Sequence, residues 1–330
     1  MDITRRNDQC GRFLYINKSK KNIKNPIILS RIKTLRIPPA YINVTISNSP
    51  KSKIQAIGTD TKNRKQYIYN KDYVQHQHEV KFEDLILFGK KIKRIRRDIN
   101  YNIKKCLSNQ NLLETKECII SLVLFLIDKC NFRVGNEKYK NLYNSFGVTT
   151  LNKHHFSFNK NNMSIKFIGK KGVLNESKVN NIKIRHLMEK LCINNSKYVF
   201  SYYDNNGIKY RITEKHINTF LKKYHKILSV KMFRTWASNH MLIRQLLEFE
   251  LPETSQQANK NILSIIKKTA NKMHHSKNVS KKSYMNNKIL DLYIDTPEKF
   301  KSIILQFRKK NGSLPTIDII LNKLLQYLIK

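Results

Sequence analysis

The hydrophobic period of this 330-residue chain changes part-way along, and that change constrains the fold more than any single motif does. Between residues 25 and 73, short β-branched and aromatic runs at 42–46, 53–57 and 66–69 are separated by Ser47-Asn48-Ser49-Pro50 and Gly58-Thr59-Asp60. Runs of that composition bounded by turn formers read as strands. From Phe82 onward, Leu85, Phe88, Ile92, Ile95, Ile99 and Ile103 recur at three- and four-residue steps, with Lys90, Lys93, Arg96 and Arg97 on the other face. That is the pattern of an amphipathic helix. Residues 114–131 follow as a helix that is apolar almost all round and therefore central to a core. The polar stretch 74–84, V-Q-H-Q-H-E-V-K-F-E-D, has no clear period and is expected to be a linker.

The expected fold class is therefore α+β, with a small β-rich N-terminal domain over residues 25–81 and a larger, mostly α-helical domain over 82–330. The length suffices for two cores. Residues 1–24, basic from Lys18 to Lys24, are expected to form an arm free to be disordered. In the larger domain, residues 163–168 alternate as a strand and Gly169-Lys170-Lys171-Gly172 makes a tight turn, giving a hairpin with a lysine at its tip. Gly135 suits a helix C-cap or tight turn that presents Arg133. Helical pattern returns at 179–191, 214–228 and 231–247, where Lys231 and Arg234 lie one turn apart on one face and Trp236 is expected to pack beneath. Thr296 and Pro297 open a helix as N-cap and N1, with Asn311-Gly312 as its stop, and residues 317–328 form a last amphipathic packing or flanking helix.

Charge narrows the partner. Sixty-four basic against 23 acidic residues give a formal charge of +41, which favours a polyanion because each phosphate contact releases counterions. Nucleic acid leads, although the Lys, Asn and Ile bias of an A/T-rich genome would give the same sign. Lys62, Arg64 and Lys65 precede Gln66-Tyr67-Ile68-Tyr69, a combination suited to phosphates and base edges. Cys10, Cys106, Cys118, Cys130 and Cys192 are widely spaced and odd in number, so they read as thiols of an intracellular protein. The polar residues 1–12 do not resemble a secretory leader, and the apolar run 118–127 is shorter than the ~20 residues of a membrane span. His76 and His78 lack companions at ligand spacing, and neither a carboxylate cluster for Mg²⁺ nor a Walker lysine motif occurs, so no metal or cofactor is expected.

Residues 272–287, K-M-H-H-S-K-N-V-S-K-K-S-Y-M-N-N, set Tyr284 among Lys281, Lys282 and a histidine pair. A phenol, with an ordinary pKa of about 10, becomes a useful nucleophile only beside cations that favour phenolate. In chain order the candidates to serve such a tyrosine are Arg133, Lys170, Arg234 and His275. R-I-P-P-A-Y at 36–41, G-T-D-T-K-N-R-K-Q-Y-I-Y at 58–69, R-V-G-N-E-K-Y from Arg133, F-I-G-K from Phe167 and K-x-x-R-T-W from Lys231 occur in the same order. Over residues 35–290 the chain resembles the small type IB DNA topoisomerases of poxviruses, giant viruses and some bacteria. Their active site is Arg, Lys, Arg, His, Tyr in that order.

The resemblance implies that Arg133, Lys170, Arg234 and His275 serve Tyr284, which joins a DNA 3′-phosphate while a 5′-hydroxyl departs, without metal or ATP. His275 is preferred to His274 because it stands nine positions before the tyrosine; the family often has glycine where this chain has His274. Asn136 stands where poxvirus enzymes carry lysine. The resemblance also implies that Lys62, Arg64, Lys65, Gln66, Tyr67, Tyr69, Lys231, Lys281 and Lys282 contact DNA, that residues 25–81 help clamp the duplex, and that a monomer acts. Two rivals stand beside it. A tyrosine site-specific recombinase shares the fold and nucleophile but usually carries H-x-x-R where this chain has Lys231 and Arg234. A non-catalytic basic nucleic-acid-binding protein would account for the charge alone.

Overall fold

A computed structural model describes residues 2–195, 197–309 and 312–329. The chain divides into two compact units, Met1–Lys81 and Phe82–Lys330. In the first, β1 (Ile3–Asn7), β2 (Phe13–Ile16), β3 (Ile42–Ile46), β4 (Ile54–Thr59) and β5 (Lys65–Tyr69) make an antiparallel sheet in the order β2-β1-β3-β4-β5. A short helix, α1 (Pro26–Thr34), accompanies it; Asn25 caps the amides of Ile27 and Ile28, and Pro26 opens the first turn. Ile3, Ile32, Val44, Ile46 and Ala56 form the core.

Two expectations are corrected here. Residues 1–24 are not an arm without structure: β1 pairs with β3 through Ile3 and Ile46, and Ile3 is buried in the core. The basic segment is the turn after β2, where Ile16 bridges Asn22 and Lys18 pairs with Asp2 at 2.7 Å. The stretch 74–84 is not a loop linker but part of α2 (Lys71–Ser108), a helix of 38 residues. Its polar residues contain no glycine or proline to stop a helix, and the buried stripe begins only at Phe82 and Leu85.

In the second unit α2 buries the residues its period marked, Phe82 through Ile103. The other helices are α3 (Lys116–Cys130), α4 (Glu137–Tyr143), α5 (Ile182–Asn194), α6 (Glu214–Lys222), α7 (Lys231–Leu246), α8 (Ser255–Lys272), α9 (Lys277–Ser283), α10 (Asn287–Asp295), α11 (Pro297–Leu305) and α12 (Ile317–Ile329). Between α4 and α5, β6 (Phe156–Phe158), β7 (Met163–Ile168) and β8 (Leu174–Val179) form an antiparallel sheet, and β9 (Ser201–Tyr203) pairs with β10 (Lys209–Arg211). The mixed α+β class is borne out. No helix among the described residues is long and apolar enough to cross a membrane.

The core fixes α7. Trp236 is 1% exposed, packs against Phe88 at 5.9 Å, and donates its indole N–H to Asp318 Oδ1 on α12 at 2.7 Å. Asp318 also accepts from Arg96, which holds Asp128 of α3 with its other two nitrogens. Gly89 is required beneath the indole, since a Cβ there would lie 2.4 Å from the Trp236 ring. Cys106 and Cys118, expected as thiols, are joined as a disulfide, because the short connection between α2 and α3 brings the two facing cysteines together. Cys10, Cys130 and Cys192 are free. Thr296 and Pro297 begin α11 as the sequence suggests, while Asn311 lies outside the described residues.

Candidate active site

Four segments of the second unit deliver side chains to one place. After α3 the chain leaves the helix through Asn131 in the left-handed conformation, and residues 132–135 connect it to Asn136, the N-cap of α4. Gly135, expected as a helix C-cap or in a tight turn, is not the cap, which is Asn131; its φ is +101°, and an added Cβ would meet the Gly147 backbone at 3.0 Å. Val148 and Thr149 donate their amides to the carbonyls of Arg133 and Val134 at 2.9 and 2.7 Å. The stitch holds Arg133 in place, with Nη1 3.5 Å from the carbonyl oxygen of His274.

Arg234 is carried by α7 and is 4% exposed. Its Nη2 donates to the carbonyl of Met273 at 2.7 Å, while Nε and Nη1 are buried with no hydrogen-bond partner among the described residues. Burial and the neighbouring charge of Arg133 bring its pKa down to about 10. Just beyond α8, His274 adopts φ +52°, a conformation glycine takes without strain, and its ring packs against Phe132 at 5.4 Å. The ring that faces Tyr284 is that of His275, at 4.8 Å between centroids, and neither of its nitrogens has a partner among the described residues. Burial, then Arg234, Arg133 and His274, push the His275 pKa down to about 3.

Tyr284 closes α9 as its C-cap residue, with the Arg234 guanidinium 5.4 Å from the ring centroid. Burial pushes the phenol pKa up, but the charge of Arg234 and its hydrogen bonding to the phenol, with the charges of Arg133 and Lys170, outweigh it and leave the group below its ordinary value. Lys170 is exposed at the tip of the β7–β8 hairpin, where Lys171 and Gly172 take the positive φ angles that close the turn.

Asn239 was not singled out by sequence reasoning, yet it holds the backbone at the tyrosine and just after it. It is wholly buried on α7, donates to the carbonyl of Tyr284 at 2.8 Å and accepts the amide of Asn286 at 2.8 Å. Its Nδ2 also meets the carbonyl of Thr235, next to Arg234, at 2.8 Å. One helix thus positions a cation and the nucleophile's backbone together.

The remaining predicted residues lie apart from this cluster in kind. Lys281 and Lys282 are exposed on α9, and Lys231, at the start of α7, sits 3.6 Å from Glu214. In the first unit, Lys62 and Lys65 are exposed, and Tyr67 and Tyr69 present stacked rings 6.2 Å apart. Arg64 and Gln66 both point to Asp60, a residue read from sequence only as part of a turn.

Residues 65–311 match the family model described as eukaryotic DNA topoisomerase I, catalytic core, and residues 12–60 match that of the bacterial DNA topoisomerase IB N-terminal domain. The chain belongs to the type IB DNA topoisomerase family. DNA topoisomerase 1B of Acanthamoeba polyphaga mimivirus is 33% identical over 283 residues, 82% of either chain. DNA topoisomerase 1B of vaccinia virus strain Copenhagen is 25% identical over 269 residues, 77% of this chain and 80% of the relative. The catalytic-core match spans Arg133, Lys170, Arg234, His275 and Tyr284, whereas α12, which anchors Trp236, lies beyond it.

Proposed function

We propose that the chain relaxes supercoiled DNA by cutting and resealing one strand through Tyr284. The phenolate oxygen bonds to a backbone phosphorus as the bond to the 5′-oxygen breaks, leaving a 3′-phosphotyrosyl linkage and a 5′-hydroxyl. Arg133 and Arg234 donate to the nonbridging oxygens, where charge must be balanced as the phosphorus becomes pentacoordinate. His275 acts beside them as a neutral N–H donor, since its pKa of about 3 leaves it uncharged at neutral pH. Lys170 gives a proton to the departing 5′-oxygen, general-acid work worth roughly 10²–10⁴-fold. Religation reverses each step, and because one ester replaces another no ATP is required. Lys62, Lys65, Tyr67, Tyr69, Lys231, Lys281 and Lys282 grip the duplex, which a single copy of the chain encloses.

The observation that carries this reading is the set of buried, unpartnered donors on Arg234 and His275 beside a tyrosine whose pKa is lowered. Donors left that way are costly unless a ligand satisfies them. The test is incubation with supercoiled plasmid without Mg²⁺ or ATP. Relaxation and a covalent protein–DNA adduct that maps to Tyr284 are expected. A chain that binds plasmid without relaxing it, or an adduct on another tyrosine, overturns the reading.

A further inference from the structure

We infer that Asn175 is a positioning residue for Lys170, holding the hairpin tip so that the ammonium group meets the departing 5′-oxygen. The inference rests on the proposed acid role of Lys170, which is exposed and so takes its place from the backbone beneath it. Up to Ile168 that backbone is fixed. Phe167 packs edge-on against Phe132 at 4.9 Å, and the carbonyl of Ile168 accepts the Phe146 amide at 2.8 Å. Beyond it the tip carries Gly169 at one end and Gly172 at the other, and glycine leaves a chain more backbone freedom than any other residue.

Val173 closes that tip. Its carbonyl accepts both the backbone amide of Gly169 and Asn175 Nδ2, each at 2.8 Å. Asn175 stands opposite Phe167 in the register of β7 against β8 and is 2% exposed, although asparagine is mostly found at the surface. A buried amide is unfavourable unless it is hydrogen-bonded, so the bond to Val173 keeps the side chain under the turn. Gly169 shows what that place is reserved for. Its φ of −100° lies in the extended range open to other residues, so conformation does not demand glycine there. Space does: an added Cβ would run into Asn175 Nδ2. Residues 169 and 175 are thus a matched pair, one lacking a side chain where the other places its amide, directly before Lys170.

The test is single-turnover cleavage by the full chain of a duplex with an ordinary 5′-oxygen leaving group and of the same duplex with a 5′-thio group, which departs without a proton. Asn175→Ala should cleave the ordinary duplex about 10–10²-fold more slowly, the scale of a catalytic group displaced by about 1 Å, and the thio duplex as fast as the parent does. A loss of the same size on both duplexes would make Asn175 merely structural, and no loss on the ordinary one would make it idle; either result overturns the inference. Gly169→Ala drives the amide from its place and should reproduce the split between the two duplexes, and it decides the matter if Asn175→Ala fails to fold. Added to Asn175→Ala, it should slow cleavage no further, because its methyl group enters the space the amide has left; losses that multiply refute the pairing. Lys170→Ala separates this outcome from failure of the acid role. If the thio duplex does not rescue Lys170→Ala, the acid role falls and takes the inference with it; if it rescues Lys170→Ala but not Asn175→Ala, the acid stands and the inference falls.

Discussion

The cluster around Tyr284 and the turn around Asp60 treat their polar groups in opposite ways. At Asp60, one carboxylate gathers two backbone amides, a guanidinium and a side-chain amide, so the turn is satisfied before any DNA arrives. At Tyr284, Arg234 keeps two buried nitrogens and His275 keeps both of its own without partners among the described residues. A buried donor left unpaired costs roughly 1–3 kcal/mol. The first arrangement suits a rigid template that reads a ligand. The second suits a site whose missing partner is a charge that develops during reaction, where donors aimed in advance need no rearrangement. Fold stability is concentrated in the first and given up in the second.

Tyr284→Phe should produce the largest effect. It removes the only oxygen able to form the adduct while keeping the ring against His275, so relaxation and adduct should vanish with duplex affinity intact. Arg234→Met comes next and tests the comparison directly. Removing a buried charge that lacks a carboxylate partner should leave the unfolding midpoint no lower than that of the parent, while single-turnover cleavage falls about 10²–10³-fold, the range for loss of a donor to a developing oxyanion. A lowered midpoint would mean that Arg234 is structural and that the contrast with Asp60 is false. Lys170→Ala should lose cleavage on ordinary DNA and recover it with a 5′-thio leaving group, which departs without a proton. Arg234→Met should not recover.

Asn239→Ala should act between the two regimes. Its loss leaves the carbonyl of Tyr284 and the amide of Asn286 unpaired, at roughly 1–3 kcal/mol of stability. The cleavage rate constant should fall while duplex affinity holds, measured by mixing with excess protein. An unchanged rate at a lowered melting temperature would confine Asn239 to the fold.

How much of this was legible depended on how local each signal was. Arg133, Lys170, Arg234, His275 and Tyr284 each sit in a short stretch with its own turn or helix signature, so sequence could name them. Asn239 could not be named, because an asparagine within a helix normally faces solvent. Its burial follows only from the packing of α7 against the segment after α9. The same holds for Asp60, whose residue type announces a turn while its four hydrogen bonds arise from where Arg64 and Gln66 fall in the register of β5 against β4. The strands β1 and β2 were missed because I-T-R-R-N and F-L-Y-I are too short and too charged around them to show alternation. The helical continuity of residues 74–84 was missed because an exposed helical face carries no apolar period at all.

Acidification should separate catalysis from stability. His275 is near its ordinary 6.5 when unfolded and about 3 when folded, so between those values the unfolded chain binds more protons. Its contribution is complete above about 6.5 and is lost as pH falls toward 3. Burial lowers His155, His216, His240 and His274 in the same direction. The unfolding midpoint should therefore drop on going from about pH 7 to about pH 5, and less steeply in His275→Gln. The cleavage rate should show no step attributable to His275 over that range, because the folded imidazole is already neutral. A step near 6.5 that disappears in His275→Gln would show that a charged imidazole does the work.

The smallest effects should come from the lysines of the first unit, and they sharpen the comparison at its satisfied end. Lys65 is exposed beside Tyr67, whereas Arg64 has Nε 2.9 Å and Nη2 2.7 Å from Asp60. If the turn is a template, Lys65→Ala should remove one phosphate contact and reduce the slope of log affinity against log salt by about 0.9, equally for all sequences. Arg64→Ala should reduce the slope less, since part of its charge is already neutralised by Asp60, but should lower the unfolding midpoint, which Lys65→Ala should not. Titration of a fluorescent duplex at several salt concentrations, paired with thermal melts, reads both quantities. Equal slopes and equal midpoints for the two variants would mean that Asp60 does not reserve Arg64, and the turn would then be an ordinary basic surface.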